Sequence, residues 1–198
     1  MSNTPANSAL TALDICNTAL CKLGEAPLSA IDANGSLPSR LCYMHYHPAR
    51  REVLCATRWT FASKKTRLVS AESATDAEHS VAHSLPPDCL RVLHVNYPQW
   101  TLRGRCIYCP ATEIKLLYTA DVEDCSLFEP LFAEALATRL ACKLCIPLIN
   151  SSTALQALRD EYRRVALPQA AHANALQSAS NDSHLLYRSW KRCRMSNL

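Results

Sequence analysis

The sequence predicts a mainly helical α+β fold: a four-helix bundle, an inserted small antiparallel β-sheet and an extended C-terminal tail. Apolar residues recur at three- and four-residue spacing on both sides of a central region, which is typical of amphipathic helices. β-Branched and aromatic residues concentrate within that central region, residues 57–120, and favour strands there. Helical periodicity ends near residue 177, so we expect one domain over residues 1–177 and a tail over residues 178–198.

The four helices are predicted at residues 8–23, 36–56, 124–147 and 151–176. Asn7 or Ser8 can cap the first helix, and Gly24 follows its last turn. Pro48 lies inside the second helix and should bend it, whereas Pro147 should mark the end of the third.

Within the central region, three strands are predicted at residues 90–97, 101–108 and 113–118. Residues 57–68 are predicted as a strand or extended segment, because no helical stripe persists among their basic and aromatic side chains. Residues 70–83 are polar and small, so we expect a loop that cannot bury enough surface to pack alone.

The composition of the 198 residues is that of a folded globular protein, with 48% hydrophobic residues and a formal charge of +4. No run approaches the roughly 20 apolar residues of a membrane-spanning helix, and the start MSNTPANSAL does not resemble a secretory signal. We therefore expect a protein made in the cytoplasm, with no membrane partner. The excess positive charge lies beyond Ser178, and the nearly neutral body argues against a surface that grips nucleic acid.

Two CxxC pairs are the sharpest chemical signal, since the thiolates of Cys106, Cys109, Cys142 and Cys145 resemble a tetrahedral zinc set. One pair lies inside an apolar helix, and neither is followed by the glycine turn that would let both thiolates reach one ion. We expect reduced thiols and no metal. With three glycines and no known catalytic motif, the chain is predicted to have no catalytic residue and no cofactor.

An aromatic and basic cluster follows the second helix, where Trp59 and Phe61 stand among basic side chains at positions 58, 64, 65 and 67. This pattern could stack and neutralise a nucleic-acid single strand. A buried aromatic pair beside solvated charges is the favoured interpretation.

The C-terminal tail keeps large apolar side chains that it has no local core to bury, which favours docking on a partner. The predicted contact residues are Leu185, Leu186, Tyr187, Arg188, Trp190 and Arg192. Folding back onto the chain's own helices is the alternative for the same residues.

Several segments, in order, resemble the head-to-tail adaptors of short-tailed bacteriophages, the tail tubular protein A family. They read ALDICNTALCKLGEAPLSAIDANGS, RLCYMHYHPARREVLCATRWTFASKKTRL, LPPDCLRVLHVN, EIKLLYTADVEDCSLFEPLFAEALATRLACKLCIPL and TALQALRDEYRRVAL. The resemblance covers residues 10–167. The chain departs from the family pattern by carrying cysteine at many positions where alanine or a larger apolar residue is expected.

The resemblance implies a virion protein at the head-tail interface that forms a ring of about 12 copies, an expectation consistent with repeating heterologous contacts that close. It implies portal protein and tail nozzle protein as partners, with the tail on the portal. Double-stranded DNA would pass through the ring without sequence-specific binding. A small helical DNA-binding protein and a zinc-stabilised protein remain the alternatives.

Overall fold

The computed structural model describes residues 9–70 and 81–177. The chain divides into two compact units. A helical unit is drawn from both ends of the chain, up to Val53 and from Asp124 onward, and a β unit comprises Leu54–Glu123.

Helix α1 spans Ala12–Cys21 and helix α2 spans Leu37–Ala56. α1 begins four residues later than predicted because Thr11 and Asp14 form a capping box, in which each side chain accepts a hydrogen bond from the other's backbone. Gly24 adopts a left-handed φ of 73° after the helix. Pro48 lies within α2, as predicted.

Helix α3 spans Pro130–Ile149, so the prediction placed both of its ends too early. Asp124 caps a separate 3₁₀ turn, Cys125–Leu127, and the residue before Pro130 is extended, as proline requires. Pro147 lies inside the helix, which ends at Asn150 in a left-handed conformation.

Helix α4 spans Ser152–Glu161 and continues through a π-helical turn, Tyr162–Ala166, into helical residues 167–177. Ser151 caps it by accepting a hydrogen bond from the Ala154 N–H. The buried residues of this segment recur every four positions from Ala166, at Ala170 and Asn174, in phase with Leu158 before the turn.

The β unit contains two three-stranded antiparallel sheets. The strands are β1 Ser63–Val69, β2 Val81–Ser84, β3 Cys89–Val95, β4 Thr101–Arg103, β5 Cys106–Cys109 and β6 Glu113–Ala120. One sheet has the order β1-β6-β3, and the other has the order β2-β5-β4. β2 lies at the end of the segment that was predicted as a loop.

The prediction of a four-helix bundle with one small inserted sheet is wrong. About 50% of the structure is helical and 21% is strand, and that strand content forms two sheets within a compact unit of its own. In the helical unit, α3 is central, with α1 and α4 against it. Helical periodicity shows which face of a helix is buried, but it does not determine what packs on that face.

The remaining predictions concern membranes and the tail. Among the residues described, no helix combines the length and apolar character needed to cross a bilayer. The tail, residues 178–198, lies outside the described residues.

Candidate functional site

An open groove of about 530 Å³ lies on one face of the β1-β6-β3 sheet, and we call it the basic groove. Its lining residues are Arg58, Lys65, Thr66, Arg67, His94, Asn96, Lys115, Leu116 and Leu117. Four of these are permanently cationic, and none of the described residues that line it is acidic. The groove therefore gathers positive charge within the β unit.

Strand pairing explains why these side chains share a face. β1 and β6 pair so that Lys65 lies opposite Leu117 and Arg67 lies opposite Lys115. Directly paired residues in antiparallel strands project from the same face, and alternate residues along one strand do so as well. The Cα atoms of Lys65 and Arg67 are therefore about 7 Å apart along β1. The Cα atom of Lys115 lies about 5 Å from that of Arg67 on the neighbouring strand.

A β-bulge in β3 brings His94 onto the groove face. The register shifts between Val92, opposite Tyr118, and His94, opposite Leu117, so one residue of β3 is left unpaired. An extra residue re-aims the side chains that follow it. Asn96 then closes the end of the strand, because its side-chain oxygen accepts a 2.6 Å hydrogen bond from the Lys115 N–H.

The opposite face of the same sheet is buried. Ile114, Leu116 and Tyr118 alternate along β6 with at most 4% of their surface exposed. Burial, followed by a hydrogen bond to Asp88, raises the pKa of Tyr118 to about 12. The exposed Lys64 lies 2.7 Å from Asp88 and, with that hydrogen bond, lowers the pKa of the Asp88 carboxyl.

Other basic side chains of the β unit hold the backbone together. Arg91 donates to the Cys55 carbonyl at 2.9 Å, and Arg105 donates to the Pro86 carbonyl at 2.5 Å. These arginines satisfy carbonyls that the sheets leave unpaired, so their roles are structural.

The groove lysines have no such role. Lys65 and Lys115 are exposed, and neither forms an ion pair with any residue in the described ranges 9–70 and 81–177. Arg67 contacts Glu113 at 2.8 Å, but both side chains are largely exposed, 64% and 44%. Exposed pairs of this kind contribute about 0–1 kcal/mol, so Arg67 can exchange this partner for another anion at little cost.

The aromatic residues of the predicted cluster do not line the groove. Trp59 is completely buried and its ring lies 6.1 Å from that of the half-buried Phe61. Both rings are thus unsuited to stacking on nucleic-acid bases. Only the basic part of the cluster, Arg58 with Lys65 and Arg67, reaches the groove.

The two CxxC pairs do not form a metal site in the part of the chain that the structure describes, where no group of three or more potential ligands is found. Cys106 and Cys109 are three residues apart on β5 and therefore project from opposite faces. Cys142 and Cys145 are buried on α3, and burial raises the pKa of both thiols.

A buried thiol and phenol cluster occupies the helical unit. The Tyr46 hydroxyl lies 3.1 Å from Cys125 Sγ, and Cys16 and Cys42 are completely buried. A hydrogen bond with Cys42, followed by burial, raises the pKa of the Cys16 thiol, while burial and then the Cys125 contact raise that of Tyr46. Cys16 and Tyr46 therefore stay neutral at pH 7 and are poor nucleophiles.

The sequence-predicted portal contacts, Leu185, Leu186, Tyr187, Arg188, Trp190 and Arg192, lie outside the described residues. The residues that sequence reasoning missed are His94, Asn96 and Lys115. Each is unremarkable in its own strand, and only the pairing of β1, β6 and β3 brings them together. In comparisons with known proteins, no protein-family model matches the chain, and no curated protein matches it either.

Proposed function

We propose that this chain is a structural head-to-tail adaptor of a tailed bacteriophage, a ring subunit between the capsid portal and the tail nozzle. The observation that carries the proposal is the ordered resemblance of five segments to that family across residues 10–167. Their order along the chain matches a helical unit interrupted between α2 and α3 by a β unit.

Exposed apolar side chains on the helical unit support a role in assembly. Tyr43 and Met44 on α2 are 56% and 62% exposed, and Leu37 lies two helical turns before Met44 at 48%. Side chains of this size on one helix are typical of surfaces that pack against another protein. A subunit that contacts two neighbours in a closed ring needs such surfaces.

Mass measurement of the purified full-length chain, alone and mixed with the portal protein encoded by the same genome, tests the proposal. We expect a complex whose mass corresponds to about 12 copies of the 21.9 kDa subunit on the portal ring. A chain that never joins the portal and is missing from purified virions would contradict the proposal.

Tyr43→Ser/Met44→Ser is the matched variant for this experiment, with Arg164→Ser as an exposed control on the helical unit. If the α2 surface makes ring contacts, the double variant should remain folded but assemble less completely than the control. Circular dichroism of both variants establishes that they fold.

A further inference from the structure

The basic groove is not accounted for by ring assembly, and the near-neutral composition of the chain gives no hint of it. The inference drawn from it is independent of the adaptor proposal, because it rests on the geometry of the β1-β6-β3 sheet alone. The question is which anion fits a row of cations on a sheet face.

Two lysines of the groove carry positive charge without a carboxylate partner in the described ranges. The strand register holds the Cα atoms of Lys65 and Lys115 about 5–7 Å from that of Arg67, without a compensating carboxylate on either lysine among the residues described. Like charges at neighbouring positions on one face repel one another, which costs stability. An external anion that contacts several of these positions would relieve the repulsion between the cations.

The side chains of the groove indicate which kind of anion it suits. Lysine and arginine bind phosphate through charge-assisted hydrogen bonds, and Asn96 adds an uncharged polar group to the same groove. Cations repeated along one strand and across to the next suit a ligand with repeated phosphates. An acidic protein segment would instead be anchored by aromatic or large apolar contacts, and the lining includes only two leucines.

The groove is poorly equipped to bind nucleic-acid bases. Within the described ranges no Trp, Tyr or Phe ring lines the groove and Trp59 is completely buried, so the His94 imidazole is the one ring in the lining and successive bases have no stacking platform. Contacts limited to phosphates and sugars position a nucleic acid without reading its sequence.

We propose that the basic groove binds the phosphodiester backbone of nucleic acid, independently of sequence, with Lys65, Arg67 and Lys115 as the main phosphate contacts. Its affinity should depend strongly on salt, because each phosphate neutralised releases counterions.

Fluorescence anisotropy with a labelled 30-base-pair duplex of random sequence, measured from 50 to 200 mM salt on the full-length chain, tests the proposal. The groove variant is Lys65→Gln/Lys115→Gln. The control is Lys64→Gln/Arg164→Gln, which removes two charges from exposed positions outside the groove.

We expect the groove variant to bind the duplex about tenfold more weakly at 50 mM salt, with a log-log salt slope smaller by about 1.8. The control should bind like the wild type. A single strand of equal length should also bind through the groove, with a shallower salt dependence.

Three results would overturn the proposal: no duplex binding by the wild type, equal binding by groove variant and wild type, or stronger competition by polyglutamate than by unlabelled DNA. A third variant, with Arg188, Lys191, Arg192 and Arg194 changed to Gln, separates the tail from the groove. If only the tail variant loses affinity, the site is in the tail and the groove proposal fails. Ring assembly is measured without DNA, so either proposal can fail alone.

Discussion

In the helical unit, Lys22 and Lys143 each lie within 2.7 Å of a carboxylate, whereas in the β unit Lys65 and Lys115 have no carboxylate partner among the described residues. Lys22 joins Glu134 of α3 to Glu161 of α4, with 19% of its own side chain exposed. The groove lysines are exposed on one face of a sheet. These lysines of the helical unit therefore hold helices together, whereas the groove lysines of the β unit present their charge to solvent.

This difference indicates where to look for binding. A cation with two carboxylate neighbours already forms ion pairs, and an anionic ligand would have to displace those carboxylates. A cation on an ordered strand without such neighbours can accept an anion without breaking any contact of the fold. Removing a cation of the first kind should therefore lower stability, whereas removing a groove lysine should not.

The largest expected effect sets the scale for the others. Phe132 on α3 is completely buried, with its ring 4.8 Å from that of Phe128. Phe132→Ala should lower the free energy of unfolding by about 3–5 kcal/mol, because it leaves a cavity in the core. Urea titration followed by circular dichroism measures this, and a loss under 1 kcal/mol would mean that this ring is not part of a packed core.

Removing Lys22, the cation between Glu134 and Glu161, should have the next largest effect. Lys22→Met leaves Glu134 and Glu161 facing each other without a counter-charge, and we expect a loss of about 1–2 kcal/mol, because the carboxylates are 45% and 40% exposed and partly screened by water. Arg164→Met, an exposed change of the same charge on the same unit, should cost less than about 0.5 kcal/mol. Equal losses in the two variants would contradict a structural role for Lys22.

Acid should weaken the helical unit through the paired carboxylate of Glu52. Burial alone would raise the pKa of Glu52, but Lys143 and Arg139 hydrogen-bond to it and hold that pKa below its ordinary value of 4.5. A lowered folded pKa contributes stability that is present above 4.5 and is lost as pH falls through the folded value. Urea titrations between pH 7 and pH 3 should show this loss, and Glu52→Gln should make the decline shallower.

High pH should weaken the helical unit through Lys22. Burial alone would lower the pKa of Lys22, but Glu134 and Glu161 raise it above its ordinary value of 10.5. A raised folded pKa contributes stability that is complete below 10.5 and is lost as pH rises through the folded value. The Lys22→Met variant should lack this alkaline loss, and a wild-type curve that is flat above pH 10.5 would contradict the assignment.

The smallest expected effect is in the groove. Lys65→Gln/Lys115→Gln should change the free energy of unfolding by less than about 0.5 kcal/mol, and any change should be stabilising because repulsion between cations falls. The same urea titration measures it. A loss above 1 kcal/mol would show that these lysines hold the sheet together, which would remove the contrast between the two units.

Sequence reasoning performed best where the signal is local. Pro48 within α2, the left-handed Gly24 after α1 and the strand at residues 90–97, observed as Cys89–Val95, all depend on short-range preferences. It was wrong at the start of α3, where Pro130 constrains the residue before it and delays the helix. The prediction of a four-helix bundle was also wrong, because the sequence of one segment does not determine which other segments pack against it.

The groove could not have been predicted from composition. Summed over the chain, the charge is +4, and the largest excess was assigned to the tail. Lys65 and Lys115 are 50 positions apart, so their proximity depends on the β1-β6 register, and the place of His94 depends on a bulge. Average charge describes a whole chain, whereas binding depends on the few residues that share one face.

The π-helical turn at Tyr162–Ala166 corrects the rotational phase of the last helix. Buried residues four apart drift around a regular helix by about 40° at each step, since one turn takes 3.6 residues. A π-turn takes up one extra residue, about 100° of rotation, so Ala166, Ala170 and Asn174 remain buried in line with Leu158. A one-residue deletion within this turn would leave the later residues facing the same way, whereas one added residue elsewhere in the helix would turn them toward water. This helix therefore contains a position at which its length can change without loss of its buried side.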